Sequence, residues 1–282
     1  MTEDVLRTVA VLGAASLVGK PLCARLVAAG SRVIGYSRRQ RAAEPGIEWR
    51  IVGEAAPEPV DCWICVSPIQ ALAGHYRLIE ASGARRLVQL SSTSQFTKLA
   101  STDPGETALA RSLGEAEASL AAWAEGEGIA WTVLRPTLVY DSGRDRNVTV
   151  IARFIDRFGF FPLLGAAEGL RQPVRAADVA EACRLAAASD LARNRAYNIA
   201  GGEVLSYRNM VRRIFEATRR PPIMPTVPLL AFRLGVAALK RLPRYRDWTP
   251  AMAERMNQDM VFDNTPAMRD FGYAPHPFEP EF

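Results

Sequence analysis

The feature that most constrains this chain is a glycine turn close to its start. Thr8–Leu12 is an apolar run of strand length, and Gly13-Ala14-Ala15-Ser16-Leu17-Val18-Gly19 follows it into the helical run Leu17–Ala29. Gly30 stands where a helix C-terminal cap belongs. A buried strand that turns through glycine into a helix predicts a βαβ unit, and so a parallel sheet covered by helices on both faces.

The rest of the first half keeps that rhythm. Strands are predicted at Arg32–Tyr36, Glu48–Val52, Val60–Val66, Arg86–Leu90 and Trp131–Leu134, with helices at Gln70–Ser82 and Ala108–Glu125. Beyond about residue 140 it loosens. Val148–Phe158 reads as an amphipathic helix, a helix capped by Asp178 runs to about Ala188, Ala196–Ala200 is a short strand, and Ser206 caps Tyr207–Ala217. The tail is proline-rich, with helical pieces near Leu229–Leu242 and Pro250–Asp259. The fold class is therefore α/β: a Rossmann-type, doubly wound parallel sheet over residues 1–140, with a smaller C-terminal α/β lobe over 141–282. Segments near 172–200 are expected to return to the sheet.

In that context the glycines carry chemistry. Gly13 permits the tight strand-to-helix turn, and Gly19 permits close packing of the helix. The amides of Ala15, Ser16, Leu17 and Val18 would face a pyrophosphate at the helix start, assisted by the helix dipole. Ser16 stands where a glycine would give the backbone closest approach; its hydroxyl is a further phosphate donor that also narrows the cleft. Ser67 and Pro136, at the ends of the fourth and sixth strands, belong to the same edge. The second strand ends Tyr36-Ser37-Arg38-Arg39, without the carboxylate that an NAD site usually offers to the ribose diol. Ser37, Arg38 and Arg39 suit a 2′-phosphate, so NADP is expected sooner than NAD.

Taken together these pieces resemble the extended short-chain dehydrogenase/reductases, also called NAD-dependent epimerase/dehydratases. The resemblance is carried by Val11–Gly19, Leu90-Ser91-Ser92-Thr93-Ser94, Leu134-Arg135-Pro136-Thr137-Leu138-Val139-Tyr140, Gln172–Ala180 and Tyr197-Asn198-Ile199-Ala200-Gly201-Gly202-Glu203. It implies a nucleotide-linked sugar as the substrate. The family's Tyr-x-x-x-Lys motif is absent: in the matching stretch Leu109–Glu117, leucine stands at both decisive positions, 109 and 113. Leucine neither donates a proton nor carries charge. Ser92, with Thr93 beside it, matches the family's active-site hydroxyl, while Phe96 offers no replacement acid. Lys98 and Tyr140 are the nearest substitute proton carriers. In the smaller lobe Arg144, Arg146, Asn147, Arg171 and Gln172 are the candidate substrate contacts, because guanidinium pairs match diphosphate geometry. Two readings follow: hydride transfer on a nucleotide-linked sugar or related ketone with non-standard proton delivery, or a non-catalytic NADP-binding scaffold or redox sensor.

Composition excludes other classes. Of 35 basic residues only Lys20, Lys98 and Lys240 are lysines; basic side chains are scattered among acidic ones, with no nucleic-acid module. Four cysteines give no disulfide framework, and Cys62 and Cys65 sit three apart on a strand, facing opposite sides of the sheet rather than one metal. No metal site is expected. The segment Leu229–Arg246 mixes leucines with arginines and has a composition that can lie on an anionic membrane surface, although packing against the sheet lobe is the simpler expectation. The chain reads as cytoplasmic, with a homodimer through the alanine-rich face of Ala108–Ala124 as an open alternative to packing on its own sheet.

Overall fold

A computed structural model describes residues 6–54, 57–141, 143–228 and 255–282. The elements of the sheet half run β1 (Thr8–Leu12), α1 (Gly19–Ala28), β2 (Arg32–Ser37), β3 (Ile47–Ile51), β4 (Cys62–Cys65), α2 (Tyr76–Ala81), β5 (Arg86–Leu90), α3 (Ser94–Thr97), α4 (Pro104–Gly126) and β6 (Ala130–Pro136). There follow β7 (Val139–Tyr140), α5 (Val148–Phe158), β8 (Leu163–Leu164), β9 (Leu170–Arg171), β10 (Val174–Arg175), α6 (Ala176–Ala188) and β11 (Arg195–Ile199). The last are β12 (Leu205–Ser206), α7 (Tyr207–Ala217), β13 (Thr226–Val227) and α8 (Thr265–Phe271).

Seven strands form one parallel sheet in the order β11-β6-β5-β4-β1-β2-β3. The order reverses between β1 and β4, which is where a doubly wound sheet opens a ligand crevice at its carboxyl edge. Alternation along β1 divides the core: Val9 and Val11 pack with α1 and α6, whereas Ala10 and Leu12 pack on the side of α4. Cys62 and Cys65 separate in the same way, one in each cluster, and all four cysteines are buried and free. A third cluster, built from α5, α7, Met256 and Phe278, forms the core of the smaller lobe. β11 joins the edge of the main sheet beside β6, so this part of the second half packs as a sheet strand.

Several boundaries differ from those expected. Helix α1 begins at Gly19, two residues later than the apolar pattern suggests, because the turn uses Leu17 and Val18. Helix α4 begins earlier, at Pro104: Asp103 caps it by accepting from the amides of Gly105 and Glu106, and a proline in the first turn needs no donor. The span Ile69–His75 is a tighter 3₁₀ turn, followed by α2. Asp178 is not a cap; it lies inside the first turn of α6 and holds the chain's last segment, accepting from the His276 amide at 3.0 Å. Ser206 does cap α7, accepting from the Asn209 amide. Helix α8 lies outside the elements that apolar periodicity predicts, although Pro266 in its first turn and Gly272 after its end are ordinary signals for it. The expected helix Leu229–Leu242, the first half of Pro250–Asp259 and the basic apolar segment Leu229–Arg246 lie outside the described residues; the described half of Pro250–Asp259 opens on a 3₁₀ turn at Arg255–Asn257. No helix among the described residues is long and apolar enough to cross a membrane.

Candidate functional site

The turn after β1 is fixed by its own backbone. Gly13 takes φ +86°, its amide donates to Tyr36 O, and Ser16 N closes the turn on Gly13 O at 2.9 Å. Ser16 Oγ accepts from the Gly19 amide at 3.0 Å, so this hydroxyl ties the turn to the first residue of α1. A Cβ on Gly19 would stand 2.6 Å from the Ala14 carbonyl oxygen and closer still to that of Gly13. Gly19 therefore serves the closure of the turn more than contact with the sheet. Ala14 and Val18 are buried beneath it, while Gly13, Ala15, Ser16 and Leu17 are partly exposed. Among the described residues the amides of Leu17 and Val18 make no hydrogen bond, which leaves two donors at the start of a helix.

Neighbouring strand ends add further unsatisfied polar atoms. Ser67 Oγ, after β4, and Ser91 Oγ, after β5, are buried without partners among the described residues. Below them Gln89 is fully buried; its carboxamide nitrogen donates to Ser67 O at 3.0 Å, and its oxygen has no partner. Buried polar groups are seldom left unpaired unless something else satisfies them. On the other side of the turn, the Ser37 hydroxyl donates to Arg39 O, so it is occupied in shaping that bend. Arg38 and Arg39 are exposed, and neither makes an ion pair among the described residues.

Beside this edge, between sheet and smaller lobe, lies a cavity of about 660 Å³. It gathers Ser92, Thr93, Lys98, Pro136, Asn147, Arg171 and Gln172, seven of the candidate site residues that the sequence singles out. Ser92 Oγ accepts from the Ser94 amide at 3.1 Å, and Thr93 Oγ1 donates to Pro136 O at 3.2 Å; Thr93 is the more deeply buried. Leu109, on α4, lines the same cavity, while Leu113 one turn later is buried in the sheet-side core. Leu138, Met260 and Phe262 give an apolar wall.

At the polar end Lys98, which the sequence offers as a proton carrier, meets an ion pair that sequence reasoning missed. Glu106 of α4 pairs with Arg255, takes a hydrogen bond from Ser101 Oγ at 2.7 Å and stands 3.5 Å from Lys98 Nζ. Burial opposes charge on Glu106, but the Ser101 hydroxyl and the Arg255 guanidinium outweigh it and hold the carboxyl below its usual range. Glu106 and Arg255 are 149 residues apart and neither lies in a motif, so no local pattern could have paired them.

Other candidates are placed elsewhere. Tyr140 does not line the cavity: it is buried in the smaller lobe's core, edge-on to Phe278, and its hydroxyl accepts from Arg175 Nε at 3.0 Å and the Glu279 amide. Burial pushes its acidity away from neutrality, so it is no ready proton carrier. Arg171 borders the cavity but is buried, and its guanidinium donates to the carbonyls of Leu170, Arg255 and Gln258. It thereby anchors the segment that follows α7 and β13, which leaves little of it for a diphosphate. Arg144 is exposed, pairs with Asp141 and is not among the residues around the cavity. Arg146 is exposed as well. The Gln172 side chain accepts from the Phe262 amide at 2.7 Å, and Asn147 donates to Val139 O. Among the described residues no group of His, Cys, Asp and Glu is arranged to hold a metal ion.

Residues 70–200 match the NAD dependent epimerase/dehydratase family. An uncharacterized protein of Sinorhizobium fredii is 26% identical over 157 residues, which is 53% of this chain but only 37% of that protein. Among solved structures, an epimerase from Methanothermobacter thermautotrophicus superposes with a TM-score of 0.70 at 16% identity, over 95% of this chain and 87% of its own. UDP-glucose 4-epimerase from Thermotoga maritima, solved with UDP-glucose, gives 0.66 at 16%, covering 95% and 93%. UDP-glucuronic acid 4-epimerase from Bacillus cereus, in complex with NAD, gives 0.69 at 12%, covering 95% and 93%. The family resemblance and the Rossmann-type fold read from the sequence both stand.

Proposed function

We propose that this chain, matched over residues 70–200 by the epimerase/dehydratase family, is a nicotinamide-dinucleotide-dependent oxidoreductase or epimerase acting on a nucleotide-linked sugar or a related ketone. One observation carries the reading. The unpaired amides of Leu17 and Val18 and the orphaned hydroxyls of Ser67 and Ser91 collect at the carboxyl edge of β1, β4 and β5, and Ser91 also borders the cavity. Those residues fit a dinucleotide: the helix start and the Gly13 turn would hold the pyrophosphate, and the two serines would meet polar groups nearer the nicotinamide. Bound there, the nicotinamide supplies hydride exchange with an oxygen-bearing carbon.

The chain's own groups do the rest. Ser92 would donate a hydrogen bond to a substrate oxygen, and the apolar side chains of Leu109, Met260 and Phe262 around the cavity would keep water from the reacting face. Selection of NADP is supported by the free guanidinium groups of Arg38 and Arg39 and by the absence of any carboxylate from Tyr36 to Arg41. The UDP-glucuronic acid 4-epimerase from Bacillus cereus was solved in complex with NAD, so the preference is a property to measure on this chain. The UDP-sugars named for the neighbours in this fold support the substrate class.

Leu109 in the cavity favours a second reading, a cofactor-binding protein that does not turn over. NADH and NADPH consumption with a panel of UDP-ketosugars separates the two. Consumption with any member, or interconversion of UDP-sugar epimers with the oxidised cofactor and no net consumption, supports the enzyme; tight cofactor binding with neither supports the scaffold.

A further inference from the structure

The family position for the acid is filled by Leu109, so a reaction here needs a proton from another group on the cavity wall. The titratable side chains around the cavity are Lys98, Asp103, Glu106, Arg171 and Arg255. Asp103 is committed to capping α4, Arg171 to three backbone carbonyls and Arg255 to Glu106. Arginine does not give up its proton in a protein. Glu106 is held in its charged form by Ser101 and Arg255 and so carries no proton to give. Lys98 remains. It follows the short helix α3, whose N-cap is Thr93, and its ammonium has no recorded hydrogen bond among the described residues beyond the ion pair with Glu106 at 3.5 Å. Glu106 and Leu109, three residues apart on α4, share one face of that helix. The carboxylate thus sits one turn before the vacant acid position and draws the ammonium towards it.

We propose that Lys98 is the proton donor of this site, positioned by Glu106, and that the pair replaces the acid lost at residue 109. The inference rests on the oxidoreductase reading above. In the reductive direction the carbonyl carbon of the ketone takes the hydride of the reduced nicotinamide and the C=O π bond breaks. The carbonyl oxygen takes a proton from the Lys98 ammonium, giving an alcohol, and the neutral amine recovers its proton from water. Lys98 is the catalytic residue and Glu106 a positioning residue.

The test uses the full chain, with UDP-4-keto-6-deoxyglucose as the probe ketone and NADPH or NADH as the reductant. Single-turnover hydride transfer is followed in the wild type and in Lys98→Arg and Lys98→Met. Both variants are expected to transfer hydride about 10²–10⁴-fold more slowly, the range for loss of a positioned acid, with cofactor affinity unchanged. Small primary amines added to Lys98→Met should restore part of the rate, as a structural role would not allow. A second readout needs no turnover. With only three lysines, ¹³C-dimethylation gives resolvable signals, and the Lys98 signal should move when the ketone joins the bound cofactor, while Lys20 serves as a control. Glu106→Gln should weaken that shift. A Lys98→Arg protein that keeps its rate within threefold, or a Lys98 signal indifferent to the ketone, overturns the proposal alone. Failure of the wild type to bind either cofactor overturns the reading on which it rests, and the proposal with it.

Discussion

Gly19→Ala sets two known effects against each other. Alanine in a helix is favoured over glycine by about 0.5–1 kcal/mol, so propensity alone makes the variant more stable. Geometry argues the other way. The new Cβ would lie 2.6 Å from Ala14 O and 2.7 Å from Ala14 C, and closer to Gly13 O; all three are backbone atoms of a turn that cannot swing aside. Overpacking of this kind costs about 1–3 kcal/mol, and more where backbone must shift. The net expectation is a loss of up to about 2 kcal/mol, a few degrees in melting temperature for a chain of this size. The same displacement would move the Leu17 and Val18 amides and weaken the cofactor at least tenfold. Gly114→Ala is the control: it lies inside α4, and its Cβ would meet only Gln95 Oε1 at 3.9 Å. That variant should gain about 0.5–1 kcal/mol. Urea unfolding of both, with cofactor titration, decides the matter. A Gly19→Ala protein that is stabilised like Gly114→Ala and binds cofactor normally refutes the argument.

Further expectations follow from single sites. Arg38→Asp should weaken NADPH far more than NADH; equal effects, read by fluorescence titration, would remove the 2′-phosphate assignment. Leu109→Tyr should fold normally because Leu109 is partly exposed in the cavity, whereas Leu113→Lys should lose about 3 kcal/mol or more by placing an unpaired charge in the core; thermal unfolding of the two variants compares them. Asp270 is held at about 2, first by Arg269 and then by the Tyr197 hydroxyl. Its folded value lies below the ordinary 3.8, so its stabilisation is present above that value and is lost as pH falls from 3.8 through 2. Asp270→Asn should flatten the acid limb of a stability–pH curve over that interval, and an unchanged limb would count against the hydrogen bond from the Tyr197 hydroxyl of β11 to Asp270 of α8.

What the sequence discloses is what depends on neighbours along the chain. The parallel strands, the Gly13 turn and the cap at Ser206 follow from alternation, glycine and capping side chains, each local. The cavity's composition is legible only where family-like segments border it, as with Ser92, Thr93 and Gln172. Its charged end is not, because Glu106 and Arg255 meet across 149 residues through the fold. The roles of Arg171 and Tyr140 were hidden for a related reason. Both are polar side chains beside the expected site, but the C-terminal residues Arg255, Gln258 and Glu279 return to occupy them. Leu17 and Val18 show the smaller error of the same kind: apolar periodicity reads them as helix, yet they belong to the turn and α1 starts at Gly19.

The central claim is that the edge formed by Gly13–Gly19, Ser67 and Ser91 holds a nicotinamide dinucleotide. Titrating the purified chain with NADPH and NADH, following tryptophan fluorescence, tests it most directly. Saturable quenching by both, tighter for NADPH and weakened in Gly19→Ala, is the predicted result. Absence of saturable binding by either nucleotide would contradict it.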